Sequence, residues 1–317
     1  MCFDRAMAPP PTPPPPLPPA GSSREPASRA DLLDGAPGIE RVECFDDARI
    51  DDYRNLKDAR LAAERRRFIV EGRGNLRVLL ERSRFRPASI LLGERAFAAM
   101  GDALHRHAPG CPIYVAPQAL LDRIVGFPIH RGCLAACDRQ AAPEAMDLAG
   151  AALAESGSAA RIVVLEGITN HDNVGGIFRN AMAFGVGGVL LCPRSCDPLY
   201  RKAIRTSMGG TLCVPFARGE ALPALLRGAR GLGFRVVALD PDERGTEIGG
   251  FARESDGPLA LLLGTEGEGL SEAALAEADV RVRIPMAPGV DSLNVAVASG
   301  IALHALRPQH PGVDGAA

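Results

Sequence analysis

The stretch Leu259-Ala-Leu-Leu-Leu-Gly-Thr-Glu-Gly-Glu-Gly-Leu270 decides how this chain is read, together with Val280-Arg-Val-Arg-Ile-Pro-Met286 and Asp291-Ser-Leu-Asn-Val-Ala-Val-Ala-Ser-Gly-Ile-Ala-Leu-His304 that follow it. An apolar run that stops in a Gly-rich turn reads as a buried strand entering a loop. The second run alternates Val280, Val282 and Ile284 with Arg281 and Arg283, which is strand-like with one wet face. In the third, Ser292 or Asn294 can cap a helix over 292–306, with Val295, Ala298, Ile301, Ala302 and Ala305 at helical spacing. Two neighbouring strands therefore end in loops rich in exposed backbone and small polar groups, which suit a polar, concave ligand. Either turn alone is an ordinary strand-to-helix connection.

Upstream the same texture repeats. Strands are expected at 162–166, 188–192, 212–216 and 234–239, before those at 259–264 and 280–285. Helices fit between them at 174–184, 199–208, 220–231 and 271–277. This alternation predicts an α/β domain over 161–308 built on a parallel sheet covered on both faces. Ligands of such sheets bind beyond the carboxyl ends of the strands. Residues 139–160 are Ala-rich with Pro143, Gly150, Ser156, Gly157 and Ser158, and read as a linker holding one amphipathic helix over 144–155.

Residues 40–138 read as a smaller α/β domain, with charged helical spacing over 54–68, strands at 68–72, 89–92 and 112–115, and a helical run at 76–80. Between 54 and 107 there are thirteen Lys/Arg and six Asp/Glu, a net of +7, whereas the whole chain carries −2. Such asymmetry suits a polyanion-binding module, or a helix face of arginines paired locally, as Glu64 with Arg60 or Arg67 allows. Residues 1–39, with Pro9-Pro-Pro-Thr-Pro-Pro-Pro-Pro-Leu-Pro-Pro19, read as a disordered polyproline-like tail, and 309–317 as a flexible end.

The 317 residues are 46% hydrophobic, as in a soluble globular protein. No apolar run approaches the roughly 20 residues of a membrane span. The eight cysteines include two C-x-x-x-C pairs, Cys133/Cys137 and Cys192/Cys196, without the further ligands of a zinc site. They read as buried free thiols in a reducing cytoplasm, since no secretory signal precedes them.

A third segment follows the strand at 162–166: Leu165-Glu-Gly-Ile-Thr-Asn-His-Asp-Asn-Val-Gly-Gly-Ile-Phe-Arg-Asn-Ala181. Its glycines do not match the G-x-G-x-x-G of a dinucleotide site, which disfavours a nicotinamide oxidoreductase. Arg179 behind an Asn-rich turn suits a phosphate or a developing oxyanion, or else an ion pair with Glu166 or Glu266. Taken in order, N-x-x-N-V-G-G-I-F-R-N-A, L-L-G-T-E-G-E-G-L and I-P-M-x(5)-S-L-N-V-A-V-A resemble the three motifs of the SpoU (TrmH-like) RNA 2′-O-ribose methyltransferases of the SPOUT superfamily. Phe68-Ile-Val-Glu-Gly72 and His130-Arg-Gly-Cys-Leu-Ala135 resemble that family's N-terminal RNA-binding extension, so the likeness covers about 52–306.

The resemblance implies a SPOUT methyltransferase domain with a C-terminal trefoil knot behind a small α/β RNA-binding domain. It implies S-adenosylmethionine as methyl donor, RNA (rRNA or tRNA) as substrate, a homodimer, and no metal or membrane. Arg179 matches the family's catalytic arginine, and Asn173, Glu266, Ser292 and Asn294 its supporting polar set. Gly264, Thr265, Gly267, Ile284, Met286 and Leu293 match the donor-binding positions. Phe178 and Asn180 depart from the smaller or hydroxylated residues common beside that arginine, and the Pro-rich tail is no family feature. A catalytically silent RNA-binding or ribosome-assembly factor on the same fold is the competing reading.

Overall fold

A computed structural model describes residues 38–54, 65–108, 110–126, 132–219 and 221–308. The Pro-rich tail, most of the charged helical run at 54–68, the His130-Arg131 junction and the C-terminal end lie outside the described residues.

The first described part is a five-stranded sheet in the order β1-β4-β3-β5-β2. Its elements are β1 (Ile39–Arg41), β2 (Arg67–Glu71), α1 (Arg73–Glu81), β3 (Pro87–Gly93), α2 (Glu94–His107), β4 (Ile113–Ala116), α3 (Gln118–Val125) and β5 (Cys133–Asp138). Strands β1, β4 and β3 run parallel, and β5 pairs antiparallel with both β3 and β2. Tyr53, fully buried, fixes this sheet: its hydroxyl lies 2.7 Å from Ser89 Oγ and accepts from Ala136 N. The arginine excess is partly answered from outside the window that defines it. Arg65 and Arg67 pair with Asp52, Arg67 also with Asp138, and Arg54 with Asp51.

Next come α4 (Ala145–Ser156), β6 (Arg161–Leu165), α5 (His171–Ala183), β7 (Gly188–Leu191), α6 (Arg201–Thr206), α7 (Gly210–Cys213), β8 (Phe216–Arg218), α8 (Leu222–Gly231), β9 (Arg235–Leu239), β10 (Thr246–Glu247), α9 (Ile248–Glu254), β11 (Leu259–Leu263), α10 (Glu272–Ala276), β12 (Val280–Arg283) and α11 (Val295–Ala305). The sheet order is β10-β12-β9-β11-β6-β7-β8, and every pairing is parallel. Both faces are covered, as the unbroken apolar strands require. Val163 and Leu165 of β6 point into a core shared with α5 and α11, whereas Ile162 and Val164 point into one shared with α4 and α8.

Three expectations are corrected. The stretch 139–160 is not only a linker: α4 buries Ala145, Leu148, Ala149 and Ala152 in the sheet's second core. The strand expected at 212–216 begins only at Phe216, because Gly209 (φ +84°) and Gly210 turn the chain into α7 first. A Cβ at Gly210 would sit 2.7 Å from the carbonyl oxygen of Phe178, so this helix–helix approach needs glycine. Finally, α5 starts at His171 rather than near 174, capped by Asn170 Oδ1, which accepts from Asp172 N at 2.9 Å.

The two departures beside Arg179 have structural work. Phe178 is fully buried, edge-on to Phe216. Asn180 ties α5 to α11, donating to Ala296 O at 2.7 Å and to Ser299 Oγ at 2.9 Å. Arg161 joins the ends of the domain, its Nε donating to Leu306 O at 2.7 Å while its Nη1 reaches Gly257 O.

Candidate active site

Because β12, β9 and β11 are parallel neighbours, their carboxyl ends open on one side of the sheet, and a cavity of about 600 Å³ lies there. Its wall comes from the turn after β9 (Leu239 to Arg244), the turn after β11 (Leu263 to Leu270), Ile284 and Met286 after β12, and the start of α11 (Ser292 to Ala298). The Gly-rich turn closes on itself: Thr265 and Gly269 form an isolated bridge, and Gly267 and Gly269 take φ of +91° and +71°. A Cβ at Gly264 would stand 2.5 Å from the Gly269 carbonyl carbon, which rules out any side chain there.

Asn294 organises the polar side of the site. Its Oδ1 accepts from Ala296 N (3.0 Å) and Val297 N (3.3 Å), capping α11. Its Nδ2 donates to Glu266 Oε1 at 2.9 Å and to Asn173 Oδ1 at 3.0 Å. One amide therefore joins three segments that span 121 residues of sequence, spending its donors on Glu266 and Asn173 and its acceptor on the helix cap.

Of the residues singled out in the sequence, Gly264, Thr265, Glu266, Gly267, Ile284, Met286, Ser292, Leu293 and Asn294 line this cavity. Asn173 is buried behind it and bonded to Asn294. Arg179 is not in the wall. It lies exposed on α5 and makes no hydrogen bond or ion pair with a described residue. Neither carboxylate considered for it is its partner: Glu166 is buried and accepts from Ser271 N, and Glu266 is held by Asn294.

The turn after β9 is a wall that the motifs do not mark. It adds Asp240, Asp242 and Arg244, and its only sequence signal is an acidic residue directly after a buried strand of a parallel sheet. Arg244 pairs with Asp242 at 2.5 Å and holds that carboxyl well below the usual range. Asp240, Glu266, Glu268 and Glu272 also line the cavity, with no ion pair to a described residue, and outnumber Arg281. The lining also has apolar side chains, from Leu239, Leu263, Ile284, Met286, Leu293 and Ala298.

A protein from Mycobacterium tuberculosis strain H37Rv, named an uncharacterized tRNA/rRNA methyltransferase, is 39% identical over 263 residues, 82% of this chain and 88% of that one. The pattern of the SpoU rRNA methylase family matches residues 160–304, the span that holds this cavity. The chain belongs to the SpoU rRNA methylase family. Two solved structures share the fold of this SpoU chain. The AdoMet-bound rRNA methyltransferase of Sinorhizobium meliloti gives a TM-score of 0.69 at 23% identity, covering 84% of this chain and 97% of that one. The SpoU methyltransferase AviRb of Streptomyces viridochromogenes gives 0.66 at 24%, covering 82% and 96%.

Proposed function

We propose that this protein transfers a methyl group from S-adenosylmethionine to a ribose 2′-hydroxyl of structured RNA, ribosomal or transfer. The observation that carries the proposal is that the second and third motifs line one cavity, and the first is tied to it because Asn294 bonds Asn173 as well as Glu266. The wall fits the donor. Apolar side chains and the exposed backbone of the 264–270 turn suit a neutral purine, and the acidic side complements a sulfonium and an ammonium group. About 600 Å³ is ample for a ligand of that size.

When bound, S-adenosylmethionine supplies a methyl carbon already activated by its sulfonium. A ribose hydroxyl is a poor nucleophile, so the protein must align it and stabilise the charge left as its proton departs. Asn294 and Glu266 fix the Gly-rich turn, and Ser292 shapes the mouth. Arg179, uncommitted on the helix that carries Asn173, is the guanidinium free to orient a phosphate or stabilise the developing alkoxide. The five-stranded N-terminal sheet with its cationic α1 supplies further grip on RNA. The C-terminal strands and α11 form the family's trefoil knot. Two copies pair through the outer face of α11, where Val297 (53% exposed) and Ile301 (40%) stand one turn apart with no cover. The seven described cysteines are all free thiols, in keeping with a reducing cytoplasm.

The test is Arg179→Ala. Exposed and unpartnered among described residues, Arg179 contributes less than about 0.5 kcal/mol to stability. The variant should keep its melting temperature and its affinity for S-adenosylmethionine but lose methyl incorporation into RNA. Unchanged turnover refutes the assignment.

A further inference from the structure

Away from the cavity, three features meet where α6 and α7 bridge α1 and α5. The first is an aromatic pair. Tyr200, the residue before α6, packs at a tilt against His171 at the start of α5, with ring centroids 4.2 Å apart and an interplanar angle of 38°. The residue is 45% exposed. Burial lowers the pKa of His171, so the ring beneath is uncharged at neutral pH.

The second feature is Met208. It is 46% exposed and adopts φ +52°, one of two non-glycine residues with positive φ among those described. A thioether side chain at such a position is both strained and solvated. Its methyl lies over Gly74, so it stays on the surface rather than entering the core.

The third is uncommitted positive charge. Arg205 on α6 and Arg73 and Arg77 on α1 are exposed and make no ion pair with a described residue. Elsewhere in the N-terminal sheet Arg49, Arg54, Arg65 and Arg67 are paired with carboxylates, while Arg82, Arg86 and Arg95 are likewise exposed with no ion pair to a described residue. The face is held firmly to the site. Lys202 and Thr206 of α6 both bind Asp172, at 2.7 and 3.0 Å, and Asp172 adjoins Asn173.

An exposed aromatic ring and a polarizable side chain beside free guanidiniums are what an unpaired nucleotide requires: a stacking surface for its base and cations for its backbone. A duplex offers only its shape and backbone to such a surface, since its bases are already stacked. We propose that Tyr200, backed by His171, stacks an unpaired base of the substrate RNA, while Met208 at the far end of α6 contacts the next part of the strand and Arg73, Arg77 and Arg205 hold the adjoining phosphates. The target is then a loop or single-stranded segment. This rests on the methyltransferase reading only for the identity of RNA as partner.

The test uses the full chain and a short fluorescein-labelled RNA of mixed sequence, single-stranded or annealed to its complement, followed by anisotropy. Wild type should bind the single strand more tightly. Tyr200→Ala should weaken single-strand binding about ten-fold, and Tyr200→Phe should restore it. Duplex binding and S-adenosylmethionine affinity should stay unchanged in both variants. Removing Arg73 and Arg77 together should lower the slope of log affinity against log salt by about 1.4. The proposal is overturned if Tyr200→Ala binds the single strand like wild type, if it loses duplex, donor and single strand alike, or if wild type prefers duplex or binds neither. It is also overturned if Tyr200→Ala changes the sedimentation of the free protein, which would make this face a contact between copies. Stacking without any methyl incorporation by wild type would sink the methyltransferase reading and leave the platform standing.

Discussion

Asn294 allows capping to be separated from bridging. Asn294→Ala removes the α11 cap, worth about 1 kcal/mol, and both bridging bonds. Those two bonds contribute about 1 kcal/mol together, because Asn294 and Glu266 are exposed and water replaces part of what is lost. A loss of about 2 kcal/mol lowers the melting temperature of a domain this size by about 4–8 °C. Asn294→Ser keeps an oxygen for the cap but has no amide to reach Glu266 or Asn173, so it should fall only about half as far. Both variants release the 264–270 turn, so calorimetric titration with S-adenosylmethionine should show affinity reduced about five- to ten-fold in each. A Ser variant as destabilised as Ala, or an Ala variant with wild-type donor affinity, would refute the idea that one amide does both jobs.

Other outcomes follow from the same packing. A Cβ at Gly176 would lie 2.6 Å from Ala296 Cβ. Gly176→Ala should therefore cost about 1–2 kcal/mol net of its better helix propensity and weaken donor binding, and adding Ala296→Gly should relieve the clash. Val297→Arg should leave the melting temperature of the monomer near normal while sedimentation shows pairing abolished. Burial pushes the Cys133 thiol up to about 12 and Cys137 higher still. At pH 8 an aromatic disulfide reagent should titrate exposed Cys44 promptly and reach Cys133 and Cys137 only on unfolding; prompt release from either buried thiol would contradict the packing.

The larger sheet was legible because its central strands β6, β7, β9 and β11 are largely apolar runs, and the motif loops fall where a parallel sheet puts ligands. What was not legible had physical reasons. The Ala-rich stretch at 139–160 resembles a linker by composition, yet alanine is also the best helix former, and small residues let helices approach closely. A Cβ at Gly187 would meet Ala152 Cβ at 2.7 Å, so α4 sits against the sheet through alanine and glycine with no large apolar signal. Elements β10 and α9 bury only Ile248 and Phe251, too few positions to set a period. The +7 count overstated the basic surface because three acids that answer part of it, Asp51, Asp52 and Asp138, lie outside its window. At the site, spacing identified the motif residues but not that Arg179 would stand clear of the cavity wall, since projection from a helix depends on where the helix starts.

The bond between Arg161 and the carbonyl of Leu306 joins the sheet's first strand to nearly the last described residue. During translation, then, the pocket is finished by a segment that follows every strand of the sheet. A chain stalled before Asn294 carries most of the sheet but neither the clasp on the Gly-rich turn nor the helix that roofs it. Ligand occupancy in the cell would accordingly report on chains that extend past Asn294, and truncations before it should be recognisable by their inability to be rescued thermally by the donor.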